Sequence, residues 1–189
     1  MKINSKEFLT VSNLLSLLRM LLAIPLWILF DYYNSVDSVK YWLFALCIFA
    51  AITDILDGYL ARKLNQVTEA GKIIDPLADK IAMAVVVIRL AMYGELPLHY
   101  LAMIVIRDVL IFFGGVYVTN KIGKVLPSNI LGKVTVLIIG IVVLLTLLQI
   151  DKSSLLFIIF FYFSMIMIVL SFIAYVIRAN EYLQRTKTV

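Results

Sequence analysis

Residues 54–79 read DILDGYLARKLNQVTEAGKIIDPLAD, and four aspartates in this stretch, Asp54, Asp57, Asp75 and Asp79, lie where two otherwise oily segments meet. An ionisable side chain in or beside lipid is costly and usually faces a water-filled cavity or a bound ion. Four carboxylates gathered together repel one another unless cations neutralise them. The stretch therefore predicts a metal site at the junction of two membrane-embedded helices. At 100° per residue, Asp54, Asp57, Gly58 and Ala61 share one side of the first helix. Gly71, Asp75 and Asp79 form an i, i+4, i+8 stripe on the second. Pro76 lacks an N–H and suits a first turn, so the regular second helix is expected to begin near Asp75. Carboxylate oxygens are hard ligands, which favours magnesium or manganese over a thiolate-seeking metal. Gly58 and Gly71 open space for close approach, and Arg62 offers a planar cationic fork suited to phosphate.

The rest of the chain has the composition of a membrane protein. Of its 189 residues, 63% are hydrophobic and 15% charged, against roughly 45–50% and 25% in globular domains. Apolar runs recur at about 20 residues, the length of a membrane-spanning helix. Six spans are expected, near residues 11–30, 39–64, 72–92, 97–119, 129–148 and 153–177. Together they make an all-α integral membrane bundle in one domain, residues 1–189. Of the 17 basic residues, 13 fall at one set of helix ends, only Lys40 and Lys152 lie in the opposite connectors, and Arg89 and Arg107 lie inside spans. This asymmetry is expected to put both termini and the aspartates on the cytoplasmic face; a multi-pass protein of a bacterial-type inner membrane is the expected localisation. The net charge of +5 is assigned to topology and anionic headgroups, with no nucleic-acid partner expected. Asn13, Ser16 and Arg19 interrupt the first apolar run, which is read as retained rather than as a cleaved signal. Cys47, the one cysteine, is read as a small packing residue, since no internal disulfide can form.

The pattern resembles the signature of the CDP-alcohol phosphotransferase family, D-x2-D-G-x2-A-R-x8-G-x3-D-x3-D. All eight defined residues and the eight-residue spacer match over 26 positions. The resemblance implies six membrane helices and metal-dependent transfer of a phosphate-linked group from a CDP-activated donor, such as CDP-diacylglycerol, to an alcohol, with release of CMP. By position, it makes Asp54, Asp57, Asp75 and Asp79 the ligands of Mg2+ or Mn2+, as two ions, with Asp79 also the general base. Asp57, Gly58, Ala61, Arg62, Gly71 and Asp75 would shape the CDP and diphosphate pocket. Homodimers are common among such proteins and are an expectation here as well. The competing interpretations are a surface charge cluster capping two helices and a cation transporter or channel. The first does not require this spacing with two glycines and an arginine. The second should carry its carboxylates near mid-membrane on several helices rather than at one face.

The acceptor alcohol is read from residues elsewhere in the chain. Ser12-Asn13-Leu14-Leu15-Ser16-Leu17-Leu18-Arg19 partly resembles the family's Pro-Asn-x-Leu-Thr-x-x-Arg entrance, so Asn13 and Arg19 are candidates to line the polar cavity. Arg107, inside the fourth span, resembles the arginine that relatives use for an acidic acceptor phosphate; the alternative is a structural pair with Asp108. Lys133, in Leu131-Gly132-Lys133, is the remaining candidate. Relatives using glycerol 3-phosphate show a second lysine and a glutamine after this point, and this chain has neither. Arg107-Asp108 and Pro127-Ser128 lean toward relatives that make cardiolipin from phosphatidylglycerol. The favoured acceptor is glycerol 3-phosphate, with phosphatidylglycerol next and other alcohols behind. Arg89 is expected to snorkel or pair. Trp27, Tyr32, Tyr33, Tyr41 and Trp42 are expected to form an interfacial belt, with His99 also at an interface.

Overall fold

The computed structural model describes residues 10–63, 71–122 and 129–185, and gives side-chain surroundings for all of these except 11–12, 57–62, 71–77, 122 and 185. Among the described residues the chain is all-helical. Its elements are α1 (Val11–Phe30), α2 (Ser38–Lys63), α3 (Gly71–Met92), α4 (Leu98–Ile122), α5 (Ile130–Leu147) and α6 (Leu155–Arg185). Five of them, α1, α2, α4, α5 and α6, are long and apolar enough to cross a membrane. The remaining helix, α3, carries Lys72, Asp75, Asp79, Lys80 and Arg89 within its 22 residues, which is the physical reason it differs.

Helix starts follow their capping chemistry. Thr10 caps α1 by accepting from the Asn13 amide at 3.4 Å, and Asn129 caps α5 by accepting from the Leu131 amide at 3.1 Å. Ahead of α6, Asp151 accepts from the Ser153 amide at 2.9 Å and its hydroxyl at 2.7 Å. Both bonds favour the ionised carboxylate and hold the exposed Asp151 carboxyl below its ordinary range. The end of α5 is closed by paired bonds, Gln149 N–H to the Thr146 carbonyl at 3.0 Å and Ile150 N–H to the Leu145 carbonyl at 3.1 Å. This is the Schellman arrangement, and it forces Gln149 to a φ of 55° where glycine is the usual occupant.

Two boundaries differ from the sequence-based expectation. Helix α3 begins at Gly71 rather than near Asp75, so Pro76 lies inside it. One missing N–H removes a single ladder bond and need not end a helix that is otherwise paired and packed. Helix α6 continues to Arg185, beyond the apolar run ending near Ile177. A hydropathy boundary marks where burial in lipid would stop, whereas the backbone ladder continues wherever helix-compatible residues follow.

The chain divides into two compact units, Met1–Tyr93 and Gly94–Val189. In the first, α1 packs against both α2 and α3, which meet each other at fewer of the described residues. The buried stripe of α1 runs Asn13, Ser16, Arg19, Ala23, Leu26, Phe30, at helical spacing. Its first half is polar and its second half apolar, so one end of this unit is built around hydrogen-bonding groups. Facing it, α3 buries Ala78, Ala82, Val86, Arg89 and Leu90, and α2 buries Leu43, Ala50 and Thr53. Large apolar side chains such as Leu21, Ile24, Ile55 and Phe113 are exposed, the reverse of a water-soluble surface.

In the second unit α6 packs against α5 and α4. Lipid tails are as apolar as leucine, so hydrogen bonds and close packing, rather than exclusion of water, join such helices. The Tyr100 hydroxyl meets Ser164 at 2.8 Å and Arg107 Nε donates to Ser171 at 3.2 Å. The same seven-residue step on both helices means that α4 and α6 run in the same direction. Thr135 donates to the Met167 carbonyl at 3.1 Å and so ties α5 to α6.

Candidate active site

Asp54 lies near the end of α2 and Asp79 two turns into α3. The link between them comes from α1. Nη1 of Arg19 donates to Asp54 Oδ1 at 3.0 Å and also to Asp79 Oδ1. Arg19 is 2% exposed, whereas the two carboxylates are 47% and 45% exposed. A buried cation thus holds two half-exposed anions from separate helices. Asn13 and Ser16 lie buried on the same stripe of α1, so Asn13 and Arg19 join one polar interior.

Of the four aspartates, the described side chains bring together Asp54 and Asp79. The side chains of Asp57, Ala61, Arg62 and Asp75, and the surroundings of Gly58 and Gly71, lie outside the described residues. Their backbone positions are helical, so the shared faces expected from the sequence apply to the backbone register. The donor set suits a hard divalent ion: charged oxygens, partly open to solvent, converge from two helices. Among the described residues no group of three or more metal-ligating side chains forms.

The second unit carries the other two candidates. Nη1 of Arg107 donates to Asp108 at 2.7 Å, in addition to the Ser171 contact, and the side chain is 10% exposed. Nη2 of Arg107 approaches Gly132 so closely that a Cβ there would lie 3.3 Å from it. Gly132 precedes Lys133 in the first turn of α5, so the fold brings Arg107 beside the Lys133 segment. The lysine itself is exposed. Sequence reading singled out Arg107 and Lys133 separately and missed Ser171 and the spacing role of Gly132. The available signal was the pair of hydroxyls, Ser164 and Ser171, seven residues apart in an apolar helix.

Arg89 pairs with Asp31, just beyond α1, and is only 7% exposed. Its guanidinium sits over the rings of Trp27 at 4.7 Å, Tyr93 at 5.4 Å and Phe30 at 5.9 Å. Trp27, Tyr32, Tyr41 and Trp42 are exposed as an interfacial belt requires, whereas Tyr33 is buried and stacks on Phe30 at 5.6 Å. The cluster therefore claims Tyr33 as a core residue.

Five helices of membrane-crossing length and composition, with aspartates of two helices held at one buried arginine, define a membrane-embedded helical protein with a polar site. The profile of the CDP-alcohol phosphatidyltransferase family matches residues 9–179. The chain belongs to that transferase family. It is 35% identical over 140 residues to the CDP-diacylglycerol–glycerol-3-phosphate 3-phosphatidyltransferase of Aquifex aeolicus, covering 70% of this chain and 72% of that protein. It is 42% identical over 107 residues to the enzyme of the same name from Pseudomonas fluorescens, covering 54% and 53% of the two chains. Over 116 residues it is 34% identical to a cardiolipin synthase (CMP-forming)/mitochondrial hydrolase fusion protein of Schizosaccharomyces pombe, covering 61% of this chain and 19% of that one. The match thus spans most of the Aquifex protein but only about half of the Pseudomonas one.

Proposed function

We propose that this protein transfers the phosphatidyl group of CDP-diacylglycerol to glycerol 3-phosphate, giving phosphatidylglycerol phosphate and CMP, at a carboxylate site that uses Mg2+ or Mn2+. The observation that carries the reading is the meeting of Asp54 and Asp79 at one cation, inside a chain whose family performs CDP-alcohol transfer. Relatives named for glycerol 3-phosphate transfer support the choice of acceptor. All six helices span the membrane in this reading, α3 included. Both termini and the site face the cytoplasm, which supplies the soluble acceptor.

Asp54, Asp57, Asp75 and Asp79 would hold the ions, whose chemistry when bound is neutralisation of the diphosphate and stabilisation of departing CMP. Gly58, Ala61 and Gly71 leave room for the nucleotide, and Arg62 grips diphosphate oxygens with its fork. Asp79 takes the proton as the acceptor oxygen bonds to the lipid-bearing phosphorus and the bond to CMP breaks. Arg107 and Lys133 receive the acceptor's phosphate. Asn13 and Arg19 line the polar interior from α1.

Phosphatidylglycerol as acceptor, giving cardiolipin, is the second reading. Arg107-Asp108 and the Schizosaccharomyces relative favour it. The deciding experiment incubates purified protein with CDP-diacylglycerol, Mg2+ or Mn2+, and each acceptor separately, then identifies the lipid product by mass. Chelator-sensitive CMP release with only glycerol 3-phosphate is expected. Normal turnover by both Asp75→Asn and Asp79→Asn would sink the carboxylate mechanism, and ion flux without CMP release would point to a channel.

A further inference from the structure

The guanidinium of Arg107 is held at two of its nitrogens and bare at the third. Nε donates to Ser171 at 3.2 Å and Nη1 to Asp108 at 2.7 Å, whereas among the described residues Nη2 makes no hydrogen bond and lies over Gly132. We propose that Ser171 and Gly132 are positioning residues for acceptor recognition. Ser171 fixes the tilt of the guanidinium, Gly132 keeps its Nη2 edge uncovered, and that edge takes an oxygen of the acceptor's phosphate. The proposal rests on the reading of Arg107 as the residue that receives this phosphate, and adds what holds the arginine ready for it.

Three observations carry it, all within the unit Gly94–Val189. First, the buried Ser171 hydroxyl donates to the Ile168 carbonyl at 2.9 Å. Its one proton is thereby committed, so toward α4 it can only accept, and a guanidinium N–H can only donate. Second, a Cβ at position 132 would lie 3.3 Å from Nη2. The free tip of an arginine would swing away from such a methyl group, but this one is tied at Nε and Nη1 and yields only by giving up those bonds. Third, the Arg107 side chain is 10% exposed, so Nη2 is a charged donor with little water to serve it. A donor left in that state is costly, and a phosphate oxygen supplies the acceptor it lacks. The first turn of α5 beside it adds the positive end of a helix dipole, which also favours an anion.

Asp108 alone would balance the charge of Arg107 but would let the fork turn about the Nη1 contact. The second tie, at Nε, removes that freedom. A residue that only joins α6 to α4 would, when replaced, lower stability and leave the two substrates equally served. A positioning residue changes the KM of the acceptor, and does so only while Arg107 is present.

The test is steady-state transfer by the full chain in detergent, with CDP-diacylglycerol, Mg2+ and varied glycerol 3-phosphate, and thermal unfolding measured beside it. Ser171→Ala is expected to raise the KM for glycerol 3-phosphate by about threefold to tenfold, the scale of one ordinary hydrogen bond, with the KM for CDP-diacylglycerol nearly unchanged. Ser171→Thr, which keeps the hydroxyl, should hold the acceptor KM near that of the unsubstituted protein. Gly132→Ala should raise it by a factor similar to that of Ser171→Ala. Added to Arg107→Ala, neither substitution should raise it further, because both act through that side chain. Ser164→Ala, which breaks the hydroxyl bond to Tyr100 on the same helix, is the structural control: the melting temperature falls and both KM values hold. An unchanged acceptor KM in Ser171→Ala or Gly132→Ala, beside a raised one in Arg107→Ala, overturns the proposal and leaves the acceptor reading standing. A further rise when either is added to Arg107→Ala does the same. An unchanged acceptor KM in Arg107→Ala itself, or no transfer to glycerol 3-phosphate by the unsubstituted protein, overturns the acceptor reading and the proposal with it. If Ser171→Ala does not fold, Ser171→Cys decides, since a thiol is only a weak acceptor: a raised acceptor KM supports the proposal, and an unchanged one overturns it.

Discussion

Replacing Arg89 with Met should destabilise this protein by about 2–3 kcal/mol while sparing transfer chemistry. Removing one partner of a fully buried ion pair costs about 3–5 kcal/mol, because the other charge is stranded. Here Asp31 is 58% exposed, so water or headgroups can solvate it, and most of that penalty is relieved. What remains is loss of the guanidinium from three aromatic faces, with Trp27 nearest at 4.7 Å. Each such contact is worth about 0.5–1 kcal/mol at accessible sites and more when desolvated, and the three are not additive. Methionine restores volume but neither charge nor planarity. The assay is denaturant unfolding in detergent micelles, followed by tryptophan fluorescence, since Trp27 reports on the cluster directly. Asp31→Asn alone, and both substitutions together, complete a double-mutant cycle. The double variant should cost nearly the sum of the singles, because the exposed carboxylate is already solvated and the aromatic contacts carry most of the loss. A single-variant loss under about 0.5 kcal/mol, the ordinary range for surface changes, or a coupling in the cycle as large as the single-variant loss, would refute the reasoning. Asp31 and Arg19 are 12 residues apart along and just beyond α1, about 18 Å at helical rise. Turnover below the unfolding temperature should therefore stay near normal, and a large fall there would also count against it.

Arg107→Ala should raise the KM for glycerol 3-phosphate by about tenfold or more, the scale of a lost hydrogen bond to a charged group, and leave CDP-diacylglycerol affinity nearly unchanged in steady-state assays. Equal losses for both substrates would assign Arg107 to its structural pair with Asp108. Gln149→Gly should stabilise the protein by about 0.4–1 kcal/mol in the same denaturant assay, because a left-handed backbone costs glycine little. Its side-chain contact with Glu95, 3.4 Å and exposed, offsets little of that gain. The lowered Asp151 pKa means its ionised form is favoured by folding, so its contribution is present at neutral pH and fades as pH falls through the folded pKa. Ser153→Ala should move that pKa back up toward the ordinary carboxylate value, as read by carbonyl NMR titration.

The helices and the acidic signature were legible because both are local patterns. Apolar runs separated by Asn34-Ser35, Gly94-Glu95 and Asp151-Lys152 follow from the cost of leaving backbone and charge in lipid, which acts on composition alone. The fixed spacing from Asp54 to Asp79 put each half of the site on one helix face before any contact was known. The start of α3 and the end of α6 were less legible, because Pro76 and the polar residues after Ile177 mark hydropathy and propensity rather than the persistence of the helical ladder. Arg89 was expected to pair or snorkel, but its partner Asp31 is 58 positions away.

The sequence by itself determined the class of protein, the membrane helices and the family, down to which eight residues carry the signature. Tertiary structure decided which groups share a neighbourhood. Arg19 reaches Asp54 and Asp79 across 35 and 60 positions because α1 runs between α2 and α3. Arg107 meets the Gly132 turn because α4 and α5 both pack in the unit organised by α6. Residue type and spacing constrain a single helix, but the choice of counter-ion depends on which helices pack, and that depends on the whole buried stripe of α1.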